Sequence, residues 1–202
     1  MGAFETIYRR SLDDREGFWR EAAAAIDWDV EPDRILDDSR PPFYRWFPGA
    51  SLNTCRNAVD RHVDGGRADQ TALVYASPVT QTTRTYTYAE LLDEVSRLAG
   101  ALARLGVGKG DTVIVYMPMV PEAAFAMLAC ARLGAIHSVV FGGFAPHELA
   151  VRIDDAKPRV VLSASCGIEA DRVIEYKPLL DRALELATHE PEHCVILQRE
   201  QA

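Results

Sequence analysis

The 202 residues predict an α/β fold: a mostly parallel sheet flanked by helices, preceded by an irregular aromatic- and proline-rich extension with one helix. Three observations carry this expectation. From residue 112 onward, short continuous apolar runs alternate with helical patterns, as in strands buried on both faces of a parallel sheet. Pro121 and Pro146 stand where a first helical turn accepts proline, and Gly106 and Gly134 stand where helices stop.

From Met1 to about His62, tryptophans and prolines are scattered (Trp19, Trp28, Pro41, Pro42, Trp46, Pro48), and one helix is expected from about Asp13 to Ile26. Aromatics between prolines suit a strap that anchors itself through large side chains. The runs ALVYAS and TRTYTY, parted by a Pro/Thr/Gln turn, read as a hairpin. Thr87 and Glu90 have capping-box spacing, and Leu91, Val95, Leu98 and Leu102 form an apolar stripe down to Gly106. Then follow strand 112–117, helix 121–133, strand 136–140, helix 146–154, strand 160–163, helix 174–187 and strand 194–197.

The formal net charge of -8 offers no long-range attraction to nucleic acid or to an anionic membrane, and neither partner is expected. The longest apolar stretch, 123–131, is too short to span a bilayer. Four widely spaced cysteines form no C-x-x-C pair and fit reduced thiols, so the expected location is the cytoplasm. No serine sits in a G-x-S-x-G elbow and Cys166 has no recognisable base, which leaves a hydrolase unsupported.

In open α/β sheets, ligands bind beyond the carboxyl ends of the strands. Three loops therefore qualify: 118–121, 141–145 (FGGFA) and 164–172 (ASCGIEADR). Gly142 and Gly143 remove side chains where another group can approach the backbone; the alternative is a strand-to-helix turn requiring positive φ. Phe141 and Phe144 read as core packing or ligand stacking. Arg172, just ahead of the expected helix, is able to fork two phosphate oxygens, or else to form a solvated pair with Asp171 or Glu175. The glycines of 106–110 lack phosphate-loop spacing and precede a strand, so they read as a helix-to-strand turn.

Residues 46–63, 85–102, 106–144 and 167–184, occurring together and in order, resemble the AMP-forming acyl-CoA synthetase family, in its acetyl- and propionyl-CoA synthetase branch. The resemblance implies an N-terminal extension over 1–62 and the first α/β subdomain of the adenylate-forming large domain over 63–202. It also implies a two-step reaction: ATP and a carboxylate form an acyl-adenylate with magnesium, and the CoA thiol then attacks to release AMP. By the same resemblance Gly142 and Gly143 border the pantetheine route, while Glu169, Ala170, Asp171 and Arg172 meet the phosphate-bearing end of CoA.

Acetyl-CoA synthetases usually carry arginine where this chain has Glu169. The pattern G-I-E-x-x-R-V-x-x-Y-K-P-L-L-D of 167–181 instead resembles propionyl-CoA synthetases, which implies propionate over acetate as substrate and one cationic phosphate contact fewer. The family's Ser/Thr/Gly-rich ATP loop and catalytic lysine have no counterpart in these residues. The expectation is thus a partial large domain, inactive by itself, holding no cofactor tightly and self-associating through an exposed sheet edge. A fragment of an acetyl-CoA synthetase and a stand-alone CoA- or protein-binding module are the alternatives.

Overall fold

The computed structural model describes residues 2–143, 145–169 and 172–202. It contains two compact units, Met1–Asn53 and Thr54–Ala202.

The first unit carries helices α1 (Ala3–Asp13) and α2 (Arg15–Ala23) and a two-residue antiparallel pair, β1 (Leu36–Asp37) with β2 (Arg45–Trp46). Sequence reading expected a single helix over 13–26. Asp14 is the reason for two: its backbone leaves the helical region (φ -127°, ψ 65°), and its carboxylate accepts from the Gly17 N–H at 3.1 Å, capping a new helix. Aromatic pairs hold the irregular remainder, with Trp19 against Trp46 at 5.7 Å and Trp28 against Phe47 at 5.5 Å. Asp37 is buried and accepts from Ser39 while pairing with Arg34 and Arg45; these donors hold its carboxyl well below the usual carboxylate range.

The second unit begins with two π-helical turns (Arg56–Asp60, Val63–Arg67) and the hairpin β3 (Thr71–Ser77) and β4 (Thr82–Thr87). Helix α3 (Tyr88–Arg104) starts at a complete capping box: Glu90 N–H donates to Thr87 Oγ1 at 3.2 Å, and Thr87 N–H donates to the Glu90 carboxylate at 2.8 Å. It ends before Gly106, whose φ of +83° is left-handed. The turn that follows bonds to itself, with Gly108 N–H on Asp111 Oδ2 at 2.7 Å.

Next come β5 (Thr112–Met117), α4 (Pro121–Leu133), β6 (Ile136–Phe141), α5 (Pro146–Ala156), β7 (Val160–Ala164), β8 (Cys166–Glu169), β9 (Arg172–Glu175), α6 (Tyr176–Leu186) and β10 (His193–Leu197). Strands β10, β7, β5 and β6 form, in that order, a parallel four-stranded sheet. Alternation along β5 divides the core: Val113 and Val115 join the cluster with α3 and α4, while Ile114 and Tyr116 join the one with α5 and α6. Each fully buried Val or Leu contributes about 1.5–3 kcal/mol of burial free energy.

One expected element changes character. The sequence predicts a loop over 164–172 and a helix over 174–187; instead β8 and β9 pair antiparallel, and α6 begins only at Tyr176. The β-branched Val173 and Ile174 suit the extended strand, and Tyr176 N–H then donates to Ser165 O at 2.9 Å. Among the described residues, no helix is long and apolar enough to cross a membrane.

Candidate functional site

The carboxyl ends of the sheet open onto a cleft of about 610 Å³. Met117 ends β5 and leads into Pro118 to Val120, Phe141 ends β6 ahead of Gly142 and Gly143, Ile168 and Glu169 belong to the strand pair after β7, and Arg199 follows β10. The hairpin turn at 77–80 supplies a further wall. The crevice rule for open sheets thus brings together all three candidate loops.

Gly142 is buried and Gly143 exposed, and neither takes positive φ. The turn-conformation explanation of these glycines is therefore replaced by one of space. A Cβ on Gly142 would stand 2.0 Å from Tyr176 Oη, and one on Gly143 would stand 2.6 Å from Phe141 Cε1. Phe141 is 70% exposed, so its ring does not pack in the core.

Glu169 lines the cleft, whereas Arg172 does not. Arg172 lies on β9 opposite Glu169, its Nη2 3.3 Å from Glu169 Oε2, with 75% of its side chain exposed. Glu175, one partner considered from sequence, makes no ion pair with it, and Asp171, the other, lies outside the described residues. Ala170, Asp171 and Phe144 lie outside the described residues.

Two residues of the cleft escaped sequence reasoning. Arg199 is half-buried; its backbone N–H donates to Ser165 Oγ at 2.9 Å and its Nη1 to Cys166 O at 3.0 Å, which fixes a guanidinium in the wall. Tyr176 stacks on Tyr116 with ring centroids 5.0 Å apart, and the Tyr116 hydroxyl donates to Gly142 O at 3.3 Å. Burial pushes the Tyr116 phenol up to about 12, helped by its neighbour Tyr176. Burial also raises Tyr176, Glu169 adds to the rise, and Arg199 opposes it.

The cleft therefore combines apolar walls with one fixed cation, Arg199, and one carboxylate, Glu169. Among the described residues no three His, Cys, Asp or Glu side chains converge on a metal-ion position.

Comparison with known proteins places this geometry in a class. The AMP-binding enzyme family matches residues 59–202, and the family described as acetyl-coenzyme A synthetase N-terminus matches residues 4–58. The chain belongs to the AMP-binding enzyme family, among the acyl-CoA synthetases.

Within that class it is 50% identical over 198 residues to acyl-CoA synthetase short-chain family member 3, mitochondrial, of Rattus norvegicus, covering 98% of this chain and 29% of that protein. It is 49% identical over 197 residues to propionate–CoA ligase of Salmonella typhimurium, covering 98% and 31%. The solved acetoacetyl-CoA synthetase from Streptomyces lividans superposes with a TM-score of 0.84 at 26% identity, covering 97% of this chain and 32% of that one. The chain spans about three-tenths of the length of the curated relatives it matches.

Proposed function

We propose that this chain forms the CoA-facing part of a short-chain acyl-CoA synthetase whose acid substrate is propionate. The cleft at the carboxyl ends of the four parallel strands carries the proposal. Pantetheine is slender and ends in a thiol; Gly142 and Gly143, whose missing side chains make room for Tyr176 and Phe141, would border its passage with their backbone. The nucleotide end of CoA is multiply anionic and would meet the cations on the rim, Arg172 from the strand pair and Arg199 from the wall. Glu169, Ala170 and Asp171 complete the proposed CoA contact.

Propionate is preferred because the 167–181 pattern, with Glu169 in place of arginine, resembles propionyl-CoA synthetases, and a propionate–CoA ligase is among the close relatives. In the full reaction propionate, ATP and CoA give propionyl-CoA, AMP and pyrophosphate. ATP supplies the activating adenylate and magnesium screens its phosphates. No adenylation step is assigned to these residues, which contain no phosphate-gripping loop. The extension is proposed to run over 1–62 and the α/β subdomain over 63–202.

The test is to express the whole reading frame that encodes this sequence and compare CoA-ester formation from acetate, propionate and butyrate. Propionate is expected to give the highest kcat/KM, and a preference for acetate would overturn the substrate assignment. The 202-residue chain alone is expected to catalyse no propionate-dependent exchange of labelled pyrophosphate into ATP.

A further inference from the structure

Two glycines from separate candidate motifs close on one phenol. A Cβ on Gly142 would stand 2.0 Å from Tyr176 Oη and 2.7 Å from its Cζ, and a Cβ on Gly167 would stand 2.7 Å from Tyr176 Cε1 and 2.8 Å from its Oη. Neither glycine has positive φ, so both positions demand space and not a special conformation. Gly142 directly follows β6, and Gly167 lies within β8, paired with Ile174. The ring of Tyr176 thus touches two backbones that do not neighbour each other in sequence.

Tyr176 is held from several directions. Its side chain is buried, its ring stacks on Tyr116 at 5.0 Å with 25° between planes, and its backbone N–H donates to Ser165 O. Tyr116 in turn donates to Gly142 O, so the same loop is tied by a hydrogen bond on one side and by van der Waals contact on the other. A planar ring between two main-chain segments leaves little freedom for either to move, because close-packed interiors transmit displacement.

We propose that Tyr176 is a positioning residue: a wedge that sets the separation between the 141–143 loop and strand β8, and with it the width of the cleft that both line. The consequence for ligand passage rests on the CoA reading; the wedge itself does not. An aliphatic side chain at 176 would leave a gap into which the loop relaxes, narrowing the path without touching the rim cations.

Amide resonances of the ¹⁵N-labelled chain test the wedge without any ligand. Gly142→Ala must displace the ring, so it is expected to shift the amides of Gly167 and Ile168; in a Tyr176→Leu background the same substitution should leave them in place. Should Tyr176→Leu not fold, Tyr176→Phe serves, because it keeps the ring but removes the 2.0 Å contact and should diminish the shift. Equal shifts in both backgrounds would overturn the wedge.

Calorimetry then reads the consequence: Tyr176→Leu should weaken CoA by about fivefold or more, yet weaken 3′-phosphoadenosine 5′-diphosphate, which lacks pantetheine, less than about twofold. Equal losses for both ligands would refute control of the pantetheine path. A wild type that binds no CoA would remove that consequence together with the proposed function, and the amide comparison would still decide the wedge.

Discussion

Arg172 Nη2 stands 3.3 Å from Glu169 Oε2 across the β8–β9 pair, so the cation proposed to meet CoA phosphate is already shared with a carboxylate. Both side chains are exposed, and ion pairs of that kind contribute about 0–1 kcal/mol to stability. Arg172→Ala should therefore leave the unfolding midpoint nearly unchanged while weakening CoA by about three- to tenfold. Glu169→Gln should strengthen CoA binding by releasing the guanidinium. Calorimetric titrations at two salt concentrations check both; an unchanged affinity in Arg172→Ala would remove Arg172 from the site.

Alkaline pH should destabilise the second unit in a defined window. Burial holds Tyr116 up to about 12 and Cys130 up to about 11, and raises Tyr86 and Tyr176 as well. Their unfolded counterparts ionise at about 8.5 for the thiol and about 10 for the phenols. Folding thus favours the neutral forms: the contribution is complete below about pH 8.5 and is lost as pH rises toward the folded values. Urea midpoints should fall between pH 8.5 and 10.5, and Tyr116→Phe should flatten the decline. A midpoint constant over that range would contradict the burial of these groups.

Thr87 closes both halves of the capping box at the start of α3. Thr87→Ala should cost about 1 kcal/mol at pH 7, measured by urea unfolding. Hydrogen bonds from Thr87 hold the Glu90 carboxyl below its ordinary value, so this contribution is present above the usual carboxylate range and lost as pH falls through it. The larger of these bonds comes from the Thr87 backbone N–H, which alanine keeps, so the variant's deficit should shrink only in part at pH 3.

Strand β6 ends the sheet, with Ile136, Val139 and Phe141 more than half exposed while Val140 turns inward. An apolar strand at a sheet edge invites pairing with another chain. Light scattering after size exclusion should show mass rising with concentration, and Val139→Lys should suppress the rise. A constant monomer mass would exclude association through this edge.

Local signals made most of the parallel unit legible in the sequence. Thr87 with Glu90, Pro121, Pro146, Gly106 and Gly134 each mark a helix end through their own backbone chemistry, without help from distant residues. Helix α1 was missed: its first turn has no side-chain cap, and its apolar Phe4, Ile7, Tyr8 and Leu12 lie exposed. The β8–β9 pair was missed because four-residue strands leave too short a period to separate from the helix after them.

The site was legible only in part. Gly142, Gly143 and Glu169, which line the cleft, were singled out through the crevice rule and the family resemblance. Tyr176 and Arg199 were not, since a tyrosine inside a helical pattern and an arginine after the last strand acquire meaning only once β6, β7 and β10 align their carboxyl ends. Space between Gly142 and Gly167 is likewise a tertiary property.

CoA is proposed to enter the cleft at the carboxyl ends of the sheet. Titrating CoA into the ¹⁵N-labelled chain and following its amide resonances tests this most directly. The largest shifts should fall on residues 139–143, 166–177 and 199, saturating together with one dissociation constant. Absence of shifts at saturating CoA, or shifts confined to the opposite end of the sheet around Lys157 and Glu192, would contradict it.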